Sequence, residues 1–166
     1  MYLFELINKA IKWMSHRYYQ SMIRGETTTL SLKGHISITC PEKIKVGRFC
    51  CINDGVQIHA GGGITLGDNV TISMGAKLIT RSYDTSNWIA QCNKIEPEKN
   101  HYEKPIVLGD HTWICAGATI LPGVTISAKG VVVGSGTVLA HDVTENYVLV
   151  AGAPARIIKR YNEGTI

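Results

Sequence analysis

The sequence predicts an all-β solenoid, a left-handed parallel β-helix of hexapeptide repeats with an N-terminal amphipathic helix and one extruded loop. Two observations carry the solenoid itself. Aliphatic side chains fall at Val46, Ile52 and Ile58, at Leu66, Ile72 and Leu78, at Leu108, Ile114, Ile120 and Ile126, and at Val133 and Leu139, a step of six almost throughout. Neither a 3.6-residue period nor simple alternation sustains that beat, whereas three short flat strands per coil do. Gly47, Gly67, Gly109 and Gly134 each follow an inward aliphatic residue, where the chain must turn a corner. A third observation marks the loop: the beat stops after Leu78 and resumes near Leu108.

Element by element, residues 1–25 read as a helix because Leu3, Ile7, Ala10, Met14 and Tyr18 recur at helical spacing while Lys9, Lys12, His16 and Arg17 lie elsewhere around the wheel. A coil cannot bury its apolar edge alone, so this helix is expected to cap the solenoid. A weak contact with a membrane surface through Trp13, the tyrosines and the basic residues is the other reading. Residues 26–150 form the β-helix, with the extruded loop over 81–105. Residues 151–166 are a C-terminal tail that folds over the far end. Two irregularities interrupt the repeat. "IHAGGGITL" has two extra residues and "ISAKGVVV" one, and both read as corner bulges without a function.

With 166 residues the chain has about the length of one domain, and 45% hydrophobic with 18% charged content is that of a globular protein. No run approaches the roughly 18 apolar residues of a membrane span. The opening segment carries Glu5 and Lys9 within its apolar part, unlike a signal peptide, and a cytoplasmic location follows. Five cysteines without a C-x-x-C pair argue against disulfides or zinc. The net charge of +4 is spread rather than striped, which speaks against nucleic acid.

The segments "PIVLGDHTWICAGATILPGVTI", "VVVGSGTVLAHDV" and "VLVAGAPARIIK" resemble the C-terminal half of the hexapeptide-repeat acyltransferases, most of all the branch of galactoside, maltose and capsular or lipopolysaccharide sugar O-acetyltransferases. The likeness covers about residues 30 to 160. It implies acetyl-CoA as acyl donor, a saccharide acceptor, and a homotrimer whose sites lie in clefts between subunits. It gives no role to a metal.

Acyl transfer to a hydroxyl needs a base as the oxygen attacks, and donors for the developing oxyanion. In the galactoside branch a histidine at the start of the extruded loop does the first job. The matching position here is Tyr83, and phenols are poor bases near neutral pH. Two readings follow. Either His101, in the same loop, takes over as base, with Asp84 orienting it or the acceptor, or transfer is slow or absent and Tyr83 only holds the sugar. By the same resemblance Asn53 matches the acceptor-binding asparagine, and Trp113 the tryptophan lining the acyl and acceptor site. Asn53 read by itself is equally a corner residue in a left-handed turn. Trp88 adds a stacking surface in the loop or anchors it. The pantetheine arm is expected to run past the main chain of Ala116, Gly134 and Ser135. Ala153 and Pro154 would meet the adenine, and Arg156, Lys159 and Arg160 the phosphates. No cysteine matches a catalytic position, which favours direct transfer. Acylation of an amino-sugar nitrogen and a noncatalytic scaffold are the alternatives.

Overall fold

The computed structural model describes residues 2–163. Residue 1 of the helical segment and residues 164–166 of the expected tail lie outside the described residues. Three parallel sheets form the sides of a left-handed triangular solenoid of about six turns. The first face stacks strands Arg24–Gly25, Ile44–Val46, Ile64–Leu66, Ile106–Leu108 and Thr125–Ile126. The second stacks Ser31–Leu32, Cys51–Ile52, Thr71–Ile72, Trp113–Ile114, Val132–Val133 and Val148–Gly152. The third stacks Ser37–Thr39, Gln57–His59, Lys77–Ile79, Thr119–Ile120 and Val138–Leu139.

The repeat explains the register. Val46, Leu66, Leu108 and Ile126 are direct Cα partners down the first face. Ile52, Ile72, Ile114 and Val133 stack down the second, and Ile58, Leu78, Ile120 and Leu139 down the third. Every one of these side chains is at most 2% exposed, so the six-residue beat is the core. Cys50 is buried and its neighbour Cys51 half-buried, as successive residues of a strand require.

The corners divide their labour. At the edge between first and second faces, a side chain on Gly47 or Gly67 would run into the next coil: a Cβ on Gly47 would sit 2.6 Å from the Gly67 carbonyl carbon. Both edges carry left-handed residues, Phe49, Asn69 and His111 at this one and Gly55 (φ 69°), Gly75, Gly117 and Gly136 at the edge between second and third faces, where glycine adopts the conformation without strain. Asn53 does not, so the left-handed-corner reading of that residue is corrected: the positive φ falls two residues later.

The ends differ from expectation in detail. The segment after Val148 is a hairpin, with Ala155–Arg160 returning antiparallel on Val148–Gly152 and extending the second face. At the other end, helix α1 (Tyr2–Met22) reaches the first coil through its last turns. Tyr19 packs on the core, Ile23 is buried, and His16 Nε2 lies 2.8 Å from the Gly34 carbonyl oxygen. The stripe expected to cover the core points away. Leu3, Ile7, Met14 and Tyr18 are each about half exposed or more. None of the helices among the described residues is long and apolar enough to cross a membrane.

Candidate active site

The break in the repeat is a structured excursion at the edge between third and first faces. Thr80, fully buried, holds its base. The Thr80 hydroxyl donates to the His59 carbonyl (2.6 Å) and accepts from the Gly62 amide (2.9 Å), while its own carbonyl accepts from the Lys104 amide (2.8 Å). From there Arg81–Tyr83 pairs antiparallel with His101–Glu103, with Tyr83 directly opposite His101. Their rings meet at a centroid distance of 4.2 Å and an interplanar angle of 39°. Cross-strand partners stand close enough for such ring contact. Both side chains are exposed, and the His101 ring nitrogens have no hydrogen-bond partner among the described residues.

Asp84 does other work. Its Oδ1 accepts from the amides of Ser86 (3.0 Å) and Asn87 (3.1 Å), capping helix α2 (Thr85–Ala90). Asp84 was expected to orient His101 or the acceptor; its Oδ1 is taken by the helix start, and no hydrogen bond joins it to His101 among the described residues. Trp88 lies on α2, 44% exposed. The rest of the loop is organised by Gln91, which is almost fully buried. It accepts from the Glu98 amide (2.9 Å) and donates to the carbonyls of Asn87 (3.2 Å) and Glu98 (3.3 Å).

The two extra residues in "IHAGGGITL" have a purpose the sequence reading missed. A Cβ on Gly61 would strike the Glu103 carboxylate, and one on Gly62 would lie 2.9 Å from the Lys104 carbonyl oxygen. The glycines are the seat on which the return strand of the excursion rests. An insertion of small residues one coil before the break was the available signal.

A second cluster occupies the edge between second and third faces. Lys33, Asn53, Asp54, Ser73, Met74 and Ala116 line an open groove of ≈ 360 Å³. Asn53 Nδ2 donates to the Ile72 carbonyl (2.9 Å), which sets the orientation of its amide. Trp113, half exposed on the second face, is pinned over this edge because its indole Nε1 donates to Ser73 Oγ (2.8 Å). Cys115, beside Ala116, is a free thiol whose pKa burial pushes up.

The same edge continues along the solenoid to Gly134 and Ser135. The amides of Ala116 and Ser135 have no acceptor among the described residues, whereas the Gly134 amide donates to the Val150 carbonyl (2.8 Å). At Gly134 the small residue keeps the edge open, while its amide is taken up within the solenoid. Gly134 abuts Ala151, whose cross-strand partner is Arg156. Ala153 and Pro154, both exposed, form the hairpin tip beyond. Arg160 is paired with Glu145 (2.6 Å). Arg156 bonds only the Ala155 carbonyl, and the Lys159 ammonium lies 4.7 Å above the Tyr161 ring, so neither cation has an acidic partner among the described residues. This set suits an extended acyl-CoA: free amides for the amide-rich arm, small residues beside it, unpaired cations at one end. Among the described residues no cluster of His, Cys, Asp or Glu could hold a metal.

Within one chain the two clusters do not meet. Tyr83 and His101 leave one edge of the prism, while Asn53, Trp113 and Ala116 line another.

This division sits on a scaffold whose relatives are known. No protein-family model matches the chain. The chain is 35% identical over 118 residues to WbbJ of Escherichia coli K12, provisionally assigned as a lipopolysaccharide biosynthesis O-acetyl transferase, covering 69% of this chain and 59% of that one. It is 30% identical over 128 residues to WcaF of the same organism, provisionally assigned as a colanic acid biosynthesis acetyltransferase, covering 77% and 64%. Its fold superposes with a TM-score of 0.76 on the hexapeptide-repeat acetyltransferase VCA0836 of Vibrio cholerae complexed with acetyl coenzyme A, at 27% identity over 90% of this chain and 79% of that one. In sequence the chain is similar to these acetyltransferases, and it has the fold of the hexapeptide-repeat acetyltransferases. It spans about six-tenths of the length of WbbJ and WcaF. Tyr83, the position expected from the resemblance to hold a histidine, lies on the first strand of the excursion.

Proposed function

We propose that this chain is an acetyl-CoA-dependent O-acetyltransferase that acylates a sugar hydroxyl in capsule, lipopolysaccharide or exopolysaccharide synthesis, by direct transfer with His101 as general base. The observation that carries the reading is the edge between second and third faces. There an indole locked to Ser73, an oriented Asn53 amide, two unpaired amides and the unpaired cation of Arg156 follow one another along the coils. Acyl transfer then needs only a base near the groove. His101 has an imidazole free to accept a proton from the sugar hydroxyl as its oxygen attacks the thioester carbonyl carbon. The carbon–sulfur bond breaks, and His101 returns the proton to the departing thiolate. The reading includes a homotrimer, because the excursion bearing His101 and the groove lie on different edges and are completed by a neighbouring copy. It places the protein in the cytoplasm, with a membrane-surface contact through α1 argued separately below.

Calorimetric titration with acetyl-CoA, followed by transfer assays on the His101→Ala and Tyr83→Phe variants, tests it. Micromolar binding, about −8 kcal/mol, and a loss on the order of a hundredfold in turnover for His101→Ala are expected. Tyr83→Phe should keep most activity, because the ring contact survives. A change below about threefold for His101→Ala removes the base assignment. No binding at millimolar acetyl-CoA removes the enzyme reading. Alkali-labile acetyl on the product identifies an ester rather than the amide of an amino sugar.

A further inference from the structure

Helix α1 docks on its own solenoid with its polar flank. The residues that touch the first coil are His16, Tyr19, Gln20 and Ile23, through contacts to the main chain of Gly34, Ile36 and Leu30. At 100° per residue they are centred about 170° around the helix from the stripe of Leu3, Ile7, Ile11, Met14 and Tyr18. That stripe is exposed along its whole length and Phe4 widens it; Leu6 and Trp13, about 100° and 120° round the helix from its centre, are exposed as well, Trp13 at 65%. An amphipathic helix ordinarily buries its apolar face and wets the other. Here the arrangement is inverted, so docking leaves the apolar stripe uncovered.

The charges decide what covers it. The helix carries Lys9, Lys12 and Arg17 against the single acid Glu5, and Arg24 follows directly. Lys9 and Arg17 are exposed and unpaired among the described residues. Trp13 and Tyr18, apolar bodies with polar tips, suit the boundary between hydrocarbon and headgroups. Two adjoining copies of this helix would bring like charges together. Anionic phospholipid would neutralise them while taking up the stripe.

We propose that α1 lies in the plane of an anionic lipid surface, with its apolar stripe in the headgroup boundary and Arg17, which flanks the stripe, against lipid phosphates. The solenoid hangs from it by the His16, Tyr19 and Ile23 contacts. The surface is independent of the acyl-transfer chemistry. It would hold the enzyme where membrane-attached saccharides are available.

The full chain is sedimented with vesicles of phosphatidylcholine alone and of phosphatidylcholine with about a third phosphatidylglycerol. Pelleting with the anionic vesicles only is expected. It should be weakened about tenfold by Arg17→Glu and by raised salt, and lost in Ile7→Glu with Ile11→Glu. All three residues are exposed, so the thermal unfolding of the solenoid should not move. Absence of pelleting, equal pelleting with neutral vesicles, or retention by the Ile7/Ile11 variant overturns the proposal. If that variant instead lowers the sedimentation mass of the lipid-free protein without changing vesicle binding, the stripe is an interface between copies and the proposal falls.

Discussion

Trp113 and Ser73 stand on adjacent coils, and the indole Nε1 of the first donates to the hydroxyl of the second at 2.8 Å. An exposed indole would otherwise rotate freely; this bond ties it to Ser73, which lines the groove. Ser73→Ala removes a bond worth about 1 kcal/mol and should raise the acceptor KM by roughly fivefold, with acetyl-CoA affinity unchanged. Trp113→Ala should cost more. Steady-state kinetics with acceptor varied measures both, and an unaltered KM in Ser73→Ala would mean that the indole is not part of the acceptor site.

The glycine seat predicts an effect at a distance. A methyl group on Gly62 meets the Lys104 backbone rather than a movable side-chain end, so the return strand must shift and carry His101 with it. Displacements of this order cost about tenfold to a hundredfold in turnover when the moved group is a catalytic base. Gly62→Ala should therefore lower kcat with acetyl-CoA affinity intact. Gly61→Ala, which meets only the end of the Glu103 side chain, should be mild. Equal kinetics for Gly62→Ala and wild type would separate the excursion from catalysis.

Two neighbouring arginines make a contrast. Arg160 is held by Glu145, while Arg156 has no acid partner among the described residues. Reversing Arg156 to Glu should weaken acetyl-CoA binding about tenfold, whereas Arg160→Ala should stay within about twofold. Calorimetry on the two variants decides, and equal affinities would move the phosphate contact elsewhere.

Cys115 lies beside the groove, yet burial pushes its thiol pKa up, so less thiolate is present at neutral pH than for an ordinary cysteine. Alkylation at Cys115 should be slow near neutrality and climb only as pH passes above the usual thiol range; the exposed Cys92 should label first. Cys115→Ser should retain turnover within about threefold, in line with direct transfer. Mass spectrometry of time-resolved labelling reads the first, and a hundredfold loss in the second would point to an acyl-enzyme.

Much of this architecture was legible because a solenoid is nearly one-dimensional: contacts join residues one coil apart, so a local beat of six specifies the stacking of Ile52, Ile72 and Ile114 without knowledge of the rest. The groove residues Asn53, Trp113 and Ala116 were legible through likeness to a repeat motif, since their place on an edge follows from their place in the beat. Ser73, Gln91 and the Gly61–Gly62 seat were not. Each acts on a partner that the beat does not specify, across the excursion or from one coil's outer surface to the next.

By itself the sequence determined the coil, its inward residues and the point at which the repeat breaks, because side-chain alternation and corner geometry are local. Tertiary structure alone decided that Asp84 caps α2 through Oδ1, and that Gly134 surrenders its amide to Val150. It also decided that α1 turns its apolar stripe outward. In each case two groups compete for one partner. The outcome depends on which of them the folded chain brings within hydrogen-bond or packing distance, and no spacing along the sequence records that.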